Sequence, residues 1–86
     1  MTYEVDVRPS AARAIRKLPP QARHLVEGLL VILSEQPRPP AARKLVNRPE
    51  WRVRAGDYRV IYRIDDGRLV VVVVNAGHRR EIYPER

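Results

Sequence analysis

Polar and apolar residues alternate over Tyr3–Val7 (YEVDV), the two-residue period of a half-buried strand. The period then changes. Pro9 suits the first turn of a helix, where its missing N–H is not needed, and Ala11, Ala12, Ile15 and Leu18 recur at helical spacing with Arg13, Arg16 and Lys17 facing away. This spacing predicts a helix from Pro9 to about Leu18, stopped by Pro19-Pro20. A second helix is predicted from about Gln21 to Glu35. Its apolar stripe of Ala22, Leu25, Val26, Leu29, Leu30 and Leu33 is wide enough to touch both a sheet and another helix. Gln36–Ala41, with prolines at 37, 39 and 40, reads as a rigid connector.

The second half returns to strand periodicity. Trp51–Tyr62 (WRVRAGDYRVIY) predicts two strands around a Gly56-Asp57 turn, pairing Ala55 with Tyr58, Arg54 with Arg59 and Arg52 with Ile61. Asp66-Gly67, between Tyr58–Asp65 and Arg68–Asn75, carries a type I′ turn signal that would set Val74 opposite Arg59 and Val72 opposite Ile61. The unbroken run Val70–Val74 predicts a central strand buried on both faces, its free side open to Tyr3–Val7. The expected class is α+β: an N-terminal strand, a two-helix hairpin and a three-stranded antiparallel meander. Together they make a four-stranded sheet with helices on one face, over Val53, Val60, Tyr62, Ile64, Val71 and Val73. Eighty-six residues fit one domain, 1–86.

Charge changes the picture of the opposite face. The net charge is +7, and residues 1–35 hold five basic and four acidic side chains against twelve and six in 36–86. The basic field therefore belongs to the sheet, and fifteen of the seventeen basic residues are arginine, which favours bidentate phosphate contacts. Alternation puts Arg52 and Arg54 on one face, joined by Arg59 across the hairpin and Arg63 four residues further on. Arg54 against Arg59 is a like-charge pair, unfavourable unless an anion lies between them. The alternative is a solvated outer face of an antiparallel sheet, in a composition that also suits a GC-rich genome.

Other classes lose support. There is no cysteine for disulfides or thiolate metal sites, no signal-peptide pattern at the N-terminus, and no apolar run long enough for a bilayer, so a cytoplasmic protein without membrane contact is expected. Candidate chemistry clusters in Gly77–Tyr83 (GHRREIY), which offers an imidazole, two guanidiniums, a carboxylate and a phenol past a strand end. Gly77 is expected to bend the chain there, over the edge of the arginine face. Taken alone, His78 reads equally as a surface histidine and Tyr83 as a packing tyrosine. His24 reads as solvated.

The order of elements, with G-D-Y-R-V-I-Y at 56–62 and G-H-R at 77–79, resembles the RelE/ParE superfamily of toxins from type II toxin–antitoxin modules over nearly the whole chain. RelE-like members are ribosome-dependent endoribonucleases that cut mRNA. ParE-like members poison DNA gyrase, and a non-toxic antitoxin-binding relative is a third reading. The resemblance implies that Arg59 is the phosphate-binding arginine, that Arg52 and Arg54 stand where paired basic residues contact RNA, and that Arg79 (or Arg80) and Tyr83 complete the catalytic set. It also implies a cognate antitoxin, the ribosome and mRNA as partners, and cleavage without metal or cofactor. Arginines are poor bases, so His78, Tyr83 or Glu81 would move the protons, with His78 the best placed by its ordinary pKa. Arg63 and Arg80 join Arg52 and Arg54 as expected RNA contacts. The tail, ending at Arg86, is expected to leave no room for a C-terminal helix.

Overall fold

The computed structural model describes residues 2–82. The elements are β1 (Glu4–Val7), α1 (Pro9–Arg16), α2 (Pro20–Glu35), β2 (Arg43–Lys44), β3 (Trp51–Ala55), β4 (Tyr58–Asp65), β5 (Val70–His78) and α3 (Arg79–Ile82). They form a sheet in the order β1-β5-β4-β3-β2, with β1 parallel to β5 and the other pairs antiparallel. The α+β class and the meander are as expected. The sheet has five strands rather than four, because Arg43-Lys44 pairs with Arg52 and Trp51 at its far edge.

Both helices start on a proline at the first turn, where no N–H has to be satisfied. Ala11 and Ile15 of α1 and Ala22, Val26, Leu29 and Leu33 of α2 are buried. Most of these join one core with Val53, Val60, Tyr62, Val71, Val73 and Ala76, the inward face of the sheet. Burying each Val or Leu fully contributes about 1.5–3 kcal/mol, so this face dominates stability. Leu25 differs from its expected place: it lies at the edge of the stripe, 47% exposed, with its Cδ1 near Gly56 in the β3–β4 turn. Tyr62 is fully buried and its hydroxyl donates to the carbonyl of Pro37 at 2.7 Å, tying the proline-rich connector to the sheet. Burial pushes that hydroxyl up to about 12.

The first hairpin has the expected register, with Gly56 at φ 59. The second does not. Asp66–Leu69 forms a four-residue loop in which Asp65 Oδ1 accepts the Arg68 N–H at 3.1 Å, and Leu69 rather than Gly67 takes the positive φ, at 58. Asp65 therefore pairs with Val70, and a bulge follows: Tyr62 faces Val73 while Ile61 faces Asn75, leaving Val74 without a cross-strand partner. Arg59 faces Gly77, not Val74, and Ile61 faces Asn75, not Val72. Strand β5 is internal, as expected, but only its inward face is fully buried. Val71 and Val73 are closed off, whereas Val70, Val72 and Val74 are half-buried because α1 and α2 pack on the opposite face.

The bulge changes which way the end of β5 faces. Before it the odd residues point inward; after it Ala76, opposite Val60, is the buried one. Gly77 is part of the strand and does not make the bend, which comes after His78, where α3 begins. A Cβ at Gly77 would meet Glu81 Oε1 and Ile82 Cδ1 at 3.6 Å, so α3, a single turn of helix not expected from the sequence, folds back over Gly77.

Candidate nucleic-acid interface

Strand register gathers the arginines. Arg52 and Arg54 of β3, Arg59 and Arg63 of β4, and Arg43 of β2 share the outer face, with Arg54 opposite Arg59 and Arg43 opposite Arg52. Arg54, Arg63 and Arg43 are exposed and Arg52 is half-buried. Arg59 is different: at 7% exposure it is the only buried charged side chain among the described residues. It lies beside buried Ile61 on β4 and opposite Gly77, over which α3 packs. A cation this far from water is expensive to hold and interacts strongly with any anion that reaches it.

The outer face is polarised. At its other end, Glu4 and Asp6 of β1, Asp65 of β4 and Arg68 of the β4–β5 loop border a recess floored by Val70 and Val72. Arg63, opposite Val72, lies between the two halves. The β2–β4 half is therefore the more basic part of the face.

The Gly77–Tyr83 segment splits. Arg79 sits at the rim: its N–H donates to the Asp57 carbonyl at 2.8 Å, and its Nε lies 3.9 Å from Asp57 Oδ1, so the turn of the first hairpin fixes it. His78 is not brought to the arginines. It pairs with Tyr58 on the helix side of the sheet, ring centroids 5.4 Å apart in an edge-on contact. Its Nδ1 accepts the Arg80 N–H at 3.1 Å, capping α3 and leaving the neutral ring's proton on Nε2. Arg80 is exposed and, with Arg13, Lys17, Tyr58 and His78, lines a groove between α1 and the sheet end. Tyr83 lies outside the described residues.

Arg43 is the residue sequence reasoning missed. Nothing around Arg43-Lys44 alternates, so no strand was predicted; the only signal was two adjacent basic residues upstream of the hairpin. A second polar cluster belongs to the scaffold instead. Arg38 bonds both Asp66 oxygens at 2.9 and 3.3 Å, the Tyr3 hydroxyl donates to Asp66 at 2.7 Å, and the Arg38 guanidinium lies 5.4 Å from the Trp51 ring centre. It ties the start of the chain, the connector and the β4–β5 loop together. No helix among the described residues is long and apolar enough to cross a membrane.

A family model for the ParE toxin of the type II toxin–antitoxin system parDE matches residues 5–83. Toxin RelG of Mycobacterium tuberculosis is 37% identical over 87 residues, covering 96% of this chain and 98% of its own. The mRNA interferase toxin RelE of Escherichia coli is 33% identical over 90 residues, covering 99% and 94%. Among solved structures, the toxin–antitoxin complex RelBE2 of Mycobacterium tuberculosis aligns with a TM-score of 0.82 and 32% identity over 92% of this chain and all of that one. Fold and matches define a toxin of the type II toxin–antitoxin class. The chain belongs to the RelE/ParE family, on its RelE-like side.

Proposed function

We propose that this toxin is a ribosome-dependent mRNA endoribonuclease that arrests translation and is neutralised by a cognate antitoxin. The observation that carries the reading is the Arg54–Arg59 pair, one guanidinium exposed and its partner buried, on a face that gathers five arginines from β2, β3 and β4. Support for RNA comes from relatives named mRNA interferases. Support for an antitoxin comes from structural neighbours solved as toxin–antitoxin complexes, with a +7 domain offering a counterpart for an acidic partner segment.

The reaction needs no metal in this reading. The ribose 2′-oxygen attacks the adjacent phosphorus, the bond to the 5′-oxygen breaks, and the products end in a 2′,3′-cyclic phosphate and a 5′-hydroxyl. Arg59 and Arg79 stabilise the pentavalent phosphorane, which carries more negative charge than the starting diester. Arg52, Arg54 and Arg63 hold the flanking backbone, and Arg80 contributes from the groove beside α1. With His78 turned to the helix side and bonded through Nδ1, its role shifts to positioning Arg79 and Arg80 by capping α3. Tyr83 takes the proton from the 2′-hydroxyl as general base, and the departing 5′-oxygen takes a proton from solvent water.

Inducing the chain alone and mapping RNA 5′ ends tests this directly. Cuts at ribosome-bound codons, abolished by Arg59→Ala in a protein that still folds, are the expected outcome. Full toxicity of Arg59→Ala would sink the site. The matched family model also bears the ParE name, which favours one second reading, a gyrase poison of the ParE type. That reading predicts inhibited DNA supercoiling with translation intact.

A further inference from the structure

Resting on the reading of the outer face as an RNA surface, we propose that the groove between α1 and the end of the sheet continues that surface, as a subsite on the helix side that holds the RNA strand once it leaves the arginine face. The groove has a volume of about 660 Å³. Three exposed cations converge on it, Arg13 and Lys17 from α1 and Arg80 from α3, against one carboxylate, Glu81. None of the three makes an ion pair among the described residues, so their charge is available to a ligand. Cations at the end of α1 also complement its dipole, which accounts for Arg13 and Lys17 but not for Arg80, delivered from another element.

Spacing and ring chemistry favour a nucleotide strand over an acidic peptide. Arg13 and Lys17 stand one helical turn apart, about 6 Å along the axis, close to one nucleotide step of an extended strand. Tyr58 and His78, edge-on with ring centroids 5.4 Å apart, add aromatic surface to the same groove, and bases of any sequence stack on such surface. The groove is also continuous with the arginine face. Gly77, opposite Arg59 in the register, borders it, and Arg80 directly follows Arg79, whose Nε lies 3.9 Å from Asp57 Oδ1 at the rim. A strand held at Arg79 therefore turns over the end of β5 and enters the groove at Arg80. Its backbone then lies against Arg13 and Lys17, and a base against the Tyr58–His78 pair.

The test measures binding of a fluorescent single-stranded RNA, 2′-O-methylated so that it cannot be cut and long enough to run past the outer face, as a function of salt. Each phosphate contact contributes about 0.7 to the slope of log K against log salt. The double variant Arg13→Ala/Lys17→Ala is expected to flatten the slope by about 1.4 and to weaken binding about tenfold at low salt. Arg13→Gln/Lys17→Gln, which keeps longer side chains on α1, should do the same, and melting temperatures of both separate lost contacts from lost fold. Arg16→Ala removes a charge from the same helix outside the groove and is expected to leave the slope as it was. An unchanged slope in both double variants, with Arg59→Ala still weakening binding, overturns the groove alone. Unchanged binding in all of them, Arg59→Ala included, overturns the RNA reading with it. A slope flattened by about 0.7 in Arg16→Ala would reduce the effect to overall charge and overturn the subsite. Double variants that lose a polyglutamate peptide but keep RNA would make the groove a protein-binding site and overturn the assignment.

Discussion

Arg54 and Arg59 face each other across β3 and β4, one side chain in solvent and the other 7% exposed. Like charges opposed across a sheet repel, and an anion that reaches the pair relieves part of that cost. Removing the exposed member should therefore stabilise the fold and harm the function. Arg54→Ala is expected to raise unfolding stability by about 0.2–1 kcal/mol in urea titrations while weakening growth arrest. A variant that lost both stability and toxicity would mean the pair is not in opposition.

Arg59 itself carries the larger functional load. Losing one preorganised charge that acts on the transition state typically costs about 10²–10³ in rate. Arg59→Ala should lose RNA cleavage on that scale in single-turnover assays, and Arg59→Lys should recover part of it. The same loss from Arg63→Ala would contradict the polarity of the face, since Arg63 lies toward the acidic end.

The buried Tyr62 hydroxyl makes stability depend on alkaline pH. Its pKa rises from an ordinary 10.0 to about 12 through burial, so the folded state favours the protonated phenol. That contribution is complete below about pH 10 and is lost as pH rises toward 12. Tyr62→Phe leaves the Pro37 carbonyl unsatisfied, costing about 1–3 kcal/mol at neutral pH, and should flatten the alkaline limb of a melting-temperature profile.

Asp66 gives the opposite sign at acid pH. The bonds from Arg38, and secondarily Tyr3, lower its carboxyl from 3.8 to about 2. A depressed carboxylate pKa stabilises the fold above its unfolded value, and the contribution disappears as pH falls from about 4 to about 2. Asp66→Asn should remove this part of the acid limb. The effect is modest because the cluster is solvent-exposed, and high salt should shrink it further.

Gly77 separates the observed geometry from a simple flexible bend. Its φ is not in the left-handed region, and a Cβ there meets Glu81 and Ile82 only at ordinary contact distance. Gly77→Ala should change the melting temperature little, whereas Gly77→Leu should displace α3, expose Arg59 and reduce activity. A severe loss in Gly77→Ala would show that conformational freedom, not space, is what the site requires.

The sequence by itself determined the strand–helix–helix–meander order, the core face and the register of the first hairpin. Each rests on local signals: helical spacing, prolines at first turns, and a Gly-Asp turn whose short loop leaves one way to pair the strands. The arginine face followed from that register. Only the tertiary structure decided the rest. A run of five valines carries no polar marker, so a two-residue slip in pairing leaves the same pattern inside and out, and a bulge at Val74 leaves no trace in the pattern. That bulge sends His78 to Tyr58 on the helix side instead of to Arg59. Arg43 likewise became part of the face through pairing with Arg52, a contact between segments that no periodicity in Arg43-Lys44 announces.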